Sequence, residues 1–147
     1  MADVIVTGAF GTLGRAVVAE LTQRGHRVAA VDLATAPADC AAALAFGGVD
    51  LADEEAVASA YAAAAARLGG LDGLVNVAGG FVWEPVEAGS AESFDRMFRI
   101  NLRTVAVSSR AALLHLRAPG GAIVNVGAAA AVQPGLGMAA PQLLRRR

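Results

Sequence analysis

The sequence predicts a doubly wound α/β domain, in which helices cover both faces of a parallel sheet. Short apolar runs alternate with longer, alanine-rich segments of helical periodicity along the 147 residues. The runs are apolar almost throughout, as in parallel strands that are buried on both faces. A steady alternation of strand and helix implies right-handed βαβ units. We therefore expect a Rossmann-type sheet with the strand order 3-2-1-4-5.

The predicted elements follow from these runs and from residues that begin or end helices. Strands are predicted over residues 3–7, 27–32, 46–50, 72–77 and 122–126. Helices are predicted over residues 11–24, 53–68 and 91–117, with a weaker one near 38–44. Asp53 can cap the helix at 53–68, and Ser90 with Ser93 can begin the long one. Gly69 and Gly70 would end the helix before them.

Composition and charge limit the classes of function. The chain is long enough for one buried core, with 56% hydrophobic and 17% charged residues. Charged residues interrupt each apolar run before it reaches the roughly 20 residues that span a bilayer. The N-terminus lacks the pattern of a secretion signal, and Cys40 is the single cysteine. A net charge of −1 gives no field for nucleic acid or anionic lipid. We expect a cytoplasmic protein with no nucleic acid, membrane or metal partner.

Three glycines follow the first predicted strand in the stretch TGAFGTLG, residues 7–14. Gly8 allows a tight turn, Gly11 lets the backbone approach a pyrophosphate, and Gly14 lets the next helix pack close to the sheet. The N-terminal N–H groups of that helix would then face the phosphates. A position between strand and helix is the context that supports a dinucleotide site. The expected cofactor contacts of this loop are Thr7, Gly8, Phe10, Gly11, Thr12, Leu13 and Gly14.

Asp32 ends the second predicted strand, eighteen residues after Gly14. Its carboxylate can accept hydrogen bonds from the hydroxyls of an adenosine ribose and would repel a 2′-phosphate. Leu33 beside it offers no cation, whereas Arg15, one residue past the last glycine, can partly compensate. We therefore predict NAD as the cofactor, with NADP less favoured, and place Asp32 and Leu33 at the ribose.

Four further motifs follow the glycine loop along the chain: VDLAD at 49–53, NVAG at 76–79, RINLRT at 99–104 and IVNVGAAA at 123–130. With the glycine loop, they resemble the short-chain dehydrogenase/reductase family from Val4 to about Ala140. The resemblance implies hydride transfer between a nicotinamide and an alcohol or carbonyl substrate. It also implies that Asn101 is a catalytic residue. The further cofactor contacts that it implies are Asp50 and Leu51 at the adenine ring, and Asn76, Ala78 and Gly79.

Two features of these motifs leave alternatives open. The family most often has its second glycine where this chain has Thr12, and the spacing 8/11/14 is closer to the family's extended members, which include sugar epimerases. The chain has three asparagines, at 76, 101 and 125, and asparagine favours neither helix nor strand. Asn101 has an alternative as an ordinary exposed helix residue. Asn76 and Asn125 can tie adjacent loops together instead of touching the cofactor.

The residues that perform the chemistry in this family are not where the resemblance expects them. Its serine falls at Ala128, or at Gly127 after a shift of one residue. Its tyrosine falls near Pro141 and its lysine at Arg145, and an arginine is a poor replacement for the amine. The one tyrosine, Tyr61, is predicted to pack within its helix. We expect no turnover from this chain; the alternatives are a nucleotide-binding pseudoenzyme and a non-functional gene fragment.

The last residues do not continue the family pattern. We interpret residues 1–140 as an incomplete dinucleotide-binding domain and residues 141–147, PQLLRRR, as a tail outside the family. A frameshift or truncation after Ala140 is one hypothesis, and a genuine tail is the other. The strand at 122–126 would be an apolar edge, so we expect aggregation or a homo-oligomer. Phe81 and Trp83 either pack on their loop or face the nicotinamide or substrate.

Overall fold

Within the described residues, five parallel strands form a sheet in the order β3-β2-β1-β4-β5, which confirms the predicted fold class and strand order. The computed structural model describes residues 1–85, 87–117 and 120–129. The predicted tail at 141–147, with Pro141 and Arg145, lies outside them. The strands are β1 Asp3–Thr7, β2 Arg27–Val31, β3 Leu44–Phe46, β4 Gly73–Asn76 and β5 Ala122–Asn125. The helices are α1 Thr12–Gln23, α2 Glu54–Leu68, α3 Ala91–Phe98 and α4 Thr104–Leu113, with a π-helical turn over Arg99–Arg103.

Alternate residues of the central strands face opposite layers. In β1, Val4 and Val6 pack with Val18 of α1, whereas Ile5 packs in the core that includes Val57 of α2. Because helices cover both faces, all five positions of β1 are buried. This is why the strand reads as an apolar run instead of an alternation.

The predicted helix boundaries at α2 and α3 have the expected caps. The Asp53 side chain accepts hydrogen bonds from the backbone N–H groups of Glu55 and Ala56 at 2.9 and 3.1 Å. Ser90 and Ser93 form a reciprocal capping box at the start of α3. Gly69 ends α2 with φ of 77°, a conformation that glycine adopts without strain.

Two predictions near the third strand are wrong. The predicted strand at 46–50 is instead Leu44–Phe46, and no helix forms over 38–44. After Phe46 the chain leaves the extended conformation, because Gly48 has φ of 74° and a Cβ on Gly47 would lie 2.7 Å from the Ala36 nitrogen. Alanine propensity alone does not sustain a helix as short as the one predicted at 38–44.

The predicted helix at 91–117 is also wrong as a continuous element. It divides into α3, the π-helical turn and α4, and α4 ends at Leu113. Two carbonyls around the turn accept hydrogen bonds from side chains, Met97 O from Asn101 at 3.0 Å and Ile100 O from Thr104 at 2.8 Å. Side chains that enter the backbone hydrogen-bond ladder in this way change its pitch.

The far strand, β5, pairs with β4 along its whole length. Val124 and Val126 are 53% and 47% exposed, so the predicted apolar exposure at this strand is present. Within the described ranges, none of the helices combines the length and hydropathy needed to cross a bilayer.

Charged side chains meet at the amino-terminal edge of the sheet. Asp3 is 4% exposed and accepts hydrogen bonds from Arg27 Nε at 2.6 Å and from Arg117 Nη2 at 2.7 Å. Arg117 also lies 2.7 Å from the Asp72 carboxylate, which accepts a hydrogen bond from the Asp3 backbone at 2.8 Å. The cluster therefore links β1 and β2 to the segments that lead into β4 and β5.

These contacts lower the pKa of both carboxyl groups. Burial alone would raise the pKa of Asp3, but the hydrogen bonds and charges of Arg27 and Arg117 outweigh it. At Asp72, the Arg117 guanidinium and the Asp3 backbone N–H hold the pKa below its usual value. The unfolded chain therefore binds protons at a higher pH than the folded chain. This contribution to stability is present above the ordinary pKa of 3.8 and is lost as pH falls through the lower folded-state pKa.

We predict that Asp3→Asn lowers the free energy of unfolding at neutral pH by about 1–3 kcal/mol, because two arginines lose a buried charged acceptor. Below about pH 5, the stability of the variant should also fall less steeply with decreasing pH than that of the wild type. Denaturant unfolding between acidic and neutral pH measures both effects. Asp95→Asn, at an exposed position of α3, is the control. Equal stability of Asp3→Asn and wild type at neutral pH would contradict the prediction.

Candidate functional site

The turn from β1 into α1 is compact because three glycines let backbone segments approach closely. Gly8 has φ of 61° and accepts a hydrogen bond from the Gly11 N–H at 3.2 Å. A Cβ on Gly14 would lie 2.0 Å from the Gly8 carbonyl oxygen, so any larger residue would push α1 away from the turn. The first and third glycines are thus required by packing within the loop itself.

The same turn contacts the end of β4. A Cβ on Gly8 would lie 2.7 Å from Ala78 Cα. The Thr7 hydroxyl, 1% exposed, accepts hydrogen bonds from the Val77 and Ala78 N–H groups at 3.1 and 3.2 Å. Thr7 and Ala78, both predicted as cofactor contacts, therefore hold the two strand ends together.

The amino end of α1 faces solvent beside this turn. Gly11 is exposed, and a Cβ there would meet nothing closer than the Gly8 oxygen at 3.5 Å. No side chain caps the helix and no acidic residue lies in its first turn. Thr12 and Leu13 are exposed, Leu13 by 52%. Free N–H groups at a positive helix end form a site for an anion such as a phosphate.

Asp32 lies next to this loop, just beyond the end of β2. Its Oδ2 accepts a hydrogen bond from the Phe10 N–H at 2.9 Å and its Oδ1 from the Ala34 N–H at 3.0 Å. A carboxylate has about four acceptor positions, so both oxygens retain capacity for hydroxyl donors. Leu33 beside it is 65% exposed. The carboxylate is thus held in a fixed orientation at the edge where the glycine loop opens.

Two arginines of the π-helical turn hold the segment at 50–52. Arg99 donates to Asp50 Oδ2 at 2.5 Å, and Arg103 donates to the Ala52 carbonyl at 2.9 Å. The hydrogen bond from the Ala52 N–H lowers the pKa of Asp50 and outweighs the opposing effect of burial. The Arg99 guanidinium lowers this pKa further. Leu51 is 5% exposed and belongs to the core beneath α2. Of the two residues predicted at the adenine ring, Asp50 is the more accessible.

Asn101 fixes the loop that follows β4. Its Oδ1 accepts from the Gly80 N–H at 3.1 Å, and its Nδ2 donates to the Gly80 carbonyl at 3.0 Å. A Cβ on Gly79 would lie 2.7 Å from the same Oδ1. Although Asn101 is exposed, it therefore makes more contacts than an ordinary surface residue of a helix.

Asn76 is directed into the fold. It is 2% exposed, and its Nδ2 donates to Asn125 Oδ1 at 2.8 Å and to the Ser109 hydroxyl at 3.2 Å. Asn76 and Asn125 are paired positions of β4 and β5. The amide thus ties β4 to β5 and α4.

The remaining predicted residues fall into buried and exposed groups. Tyr61 is fully buried in the core, and burial raises the pKa of its hydroxyl group. Phe81 and Trp83 are 51% and 63% exposed and meet edge to face, with ring centroids 6.1 Å apart. Ala128 is exposed after β5. Within the described part of the chain, no three His, Cys, Asp or Glu residues converge as metal ligands would.

Sequence reasoning missed the contacts that Arg99 and Arg103 make. Their spacing of four residues is a signal that both lie near one helical face. Their partners at 50–52 come from another βα connection, however, and nothing in the local sequence identifies them.

Comparison with known proteins agrees with the fold described above. A family model described as short chain dehydrogenase matches residues 2–140. D-threitol dehydrogenase of Mycolicibacterium smegmatis is 37% identical over 136 residues, which cover 86% of this chain and 52% of that protein. The chain spans about half the length of the curated relatives that it matches.

Solved structures give the same assignment. A Brucella melitensis short-chain dehydrogenase/reductase, described as a glucose/ribitol dehydrogenase, has a TM-score of 0.88 at 26% identity, over 98% of this chain and 63% of that one. The 3-ketoacyl-(acyl-carrier-protein) reductase of the same organism, complexed with NADH, has a TM-score of 0.86 at 26% identity, over 98% and 64%. A parallel sheet with a glycine turn at its carboxyl edge defines the class of the fold as Rossmann-type. This chain belongs to the short-chain dehydrogenase family.

We predict that Asn101→Ala releases the loop after β4, since the Gly80 N–H loses its acceptor. Amide exchange at Gly80 should become about fivefold faster, as expected when a hydrogen bond worth roughly 1 kcal/mol is lost. Hydrogen exchange followed by NMR measures this. The Val126 amide, which donates to the Asn76 carbonyl at 2.9 Å, is the internal control and should not change. Unchanged protection at Gly80 would show that Asn101 does not hold the loop.

Proposed function

We propose that this chain is the NAD-binding part of an oxidoreductase that transfers a hydride between a nicotinamide and a small alcohol or carbonyl substrate. The observation that carries the proposal is the uncapped, solvent-facing amino end of α1 behind Gly11, beside the fixed carboxylate of Asp32. The first feature suits a pyrophosphate and the second suits a ribose diol. The NADH-bound reductase among the structural relatives supports the same cofactor class.

The residues of the glycine loop and Asp32 fit this cofactor. The space above Gly11 is open, so the backbone N–H groups of the loop can approach a phosphate. Gly8 and Gly14 hold those groups in place, and Thr7 orders the neighbouring strand end. Asp32 would accept the ribose hydroxyls, and Asp50 would lie toward the adenine side. When bound, the nicotinamide supplies the hydride acceptor or donor.

The region beyond β4 is our candidate for the substrate side. Asn101 holds the Gly80 backbone at both its N–H and its carbonyl, which orients the chain that presents Phe81 and Trp83. Exposed aromatic rings at this position suit the apolar part of an alcohol or carbonyl compound. Asn101 is therefore a positioning residue for this loop. The family resemblance also implies that it is one of the catalytic residues.

A second candidate is nucleotide binding without turnover. It is favoured by Ala128, which carries no hydroxyl at the position where the family's serine is expected. The two candidates share the cofactor site and differ in chemistry. Oxidation of an alcohol by the purified chain with NAD would overturn the second one.

We predict that Gly11→Ala weakens NAD binding about ten- to hundredfold while leaving the melting temperature nearly unchanged. Its Cβ meets only ordinary contacts within the fold but would stand between the loop and a phosphate. Titration calorimetry with NAD measures the affinity. Gly89→Ala is the matched control, because among the described residues a Cβ there would likewise meet nothing closer than 3.5 Å.

Gly8→Val should abolish binding and also damage the fold, since the residue has φ of 61° and no room for a Cβ. For this reason Gly11→Ala is the sharper test. Equal affinity in Gly11→Ala and wild type would show that the glycine loop is not the site.

We predict that Asp32→Asn narrows the preference for NAD over NADP by about tenfold, because it removes the charge that repels a 2′-phosphate. The ratio of the two dissociation constants is the quantity to measure. The variant keeps one oxygen acceptor for the Phe10 and Ala34 N–H groups, so the loop geometry is disturbed less than by Asp32→Ala. An unchanged ratio would mean that Asp32 does not face the ribose.

A further inference from the structure

A second acidic residue, Asp39, lies beside the cofactor loop and contacts its nearest cation. Arg15 follows Gly14 in the first turn of α1, and its Nη2 donates to Asp39 Oδ2 at 2.8 Å. The Arg15 and Asp39 side chains are 50% and 72% exposed. Two residues beside the glycine loop carry a charge that would act on a 2′-phosphate: Asp32 is negative and Arg15 is positive. Because Asp39 pairs with Arg15, it reduces the positive charge that Arg15 can offer to such a phosphate.

The segment that carries Asp39 contacts α1 at Arg15 and at Thr22. A tight turn places Asp39, because the Cys40 N–H donates to the Pro37 carbonyl at 3.2 Å. Farther along, the Thr22 hydroxyl contacts the Ala41 carbonyl at 3.4 Å. The turn at Pro37 and the contact at Thr22 thus place the Asp39 carboxylate next to Arg15.

Arg15 and Asp39 line the same open cleft, of about 130 Å³, together with Phe10, Pro37 and Cys40. The backbone N–H of Phe10, which lines this cleft, donates to Asp32 Oδ2 at 2.9 Å. Asp32 is therefore held against a residue that borders the region containing Arg15 and Asp39. If Asp32 accepts the ribose hydroxyls, a phosphate on the 2′ position would point into this region.

We propose that Asp39 is a specificity-determining residue that disfavours NADP by engaging Arg15 in an ion pair. The inference rests on the proposed NAD site and adds a second determinant to Asp32. A free Arg15 would offer a 2′-phosphate charge-assisted hydrogen bonds, which are stronger than neutral ones. With Asp39 in place, a 2′-phosphate must displace a carboxylate from Arg15 before it can bind that cation. A 2′-hydroxyl meets no such obstacle.

The size of the effect follows from exposure. An exposed ion pair contributes little to stability, so removing Asp39 should leave the fold intact. For the same reason the gain for NADP is moderate, about five- to tenfold, and is largest at low ionic strength.

The test measures dissociation constants of NAD and NADP for the full chain and its variants in dilute buffer. Asp39→Asn should raise the affinity for NADP relative to NAD by about five- to tenfold. Glu20→Gln is the matched control: Glu20 pairs with Arg24 at 2.5 Å on the same helix, with similar exposure, but at its far end. It changes the net charge equally and should not change the ratio.

A double variant separates the route of the effect. In an Arg15→Gln background, Asp39→Asn should no longer change the ratio by more than about twofold, because the cation it releases is absent. A gain that persists without Arg15 would overturn the proposal. So would an unchanged ratio in Asp39→Asn with NAD binding intact, and this result would leave the NAD site standing. Failure of the wild-type chain to bind either dinucleotide would overturn the NAD site and this inference together.

Discussion

The close contact between the carboxyl ends of β1 and β4 is the constraint on which the site depends. Gly8 approaches Ala78 so closely that a Cβ would lie 2.7 Å from its Cα. The buried Thr7 hydroxyl accepts two N–H groups from the same strand end. This contact sets where β1 stops and therefore where α1 begins. The free N–H groups of α1 and the opening above Gly11 are consequences of it, because Gly14 then packs directly on the turn.

The π-helical turn is the second point that orders the edge. Its side chains hold two different connections: Arg99 and Arg103 contact the segment at 50–52, and Asn101 holds Gly80. An uninterrupted α-helix would present residues 99, 101 and 103 at other angles. π-Helical turns often occur at functional sites, and here the turn links the segment at 50–52 to the loop after β4.

The two edges of the sheet use charge differently. At the amino edge, Asp3 and Asp72 share Arg117, and Asp3 is buried. At the carboxyl edge, the helix end has no acidic side chain of its own, and Asp32 is held by backbone N–H groups. The first arrangement stabilises the fold and loses its effect at low pH. The second leaves positive potential and acceptor oxygens for a ligand.

The sequence by itself determined the alternation of strands and helices, the glycine turn and the caps at Asp53 and Ser90, because each depends on local periodicity or on residues a few positions apart. It misplaced β3, because the end of this strand depends on the close approach of Gly47 to Ala36. It missed the break between α3 and α4, because helical periodicity does not show that side chains bond to the Met97 and Ile100 carbonyls. Local sequence identified Asp32 and Arg15 but not Asp39, whose position against α1 depends on the turn at Pro37. It also left Asn76 with two roles, and tertiary pairing with Asn125 decided its orientation. Side chains that act across βα connections become neighbours only when parallel strands bring their carboxyl ends to one edge.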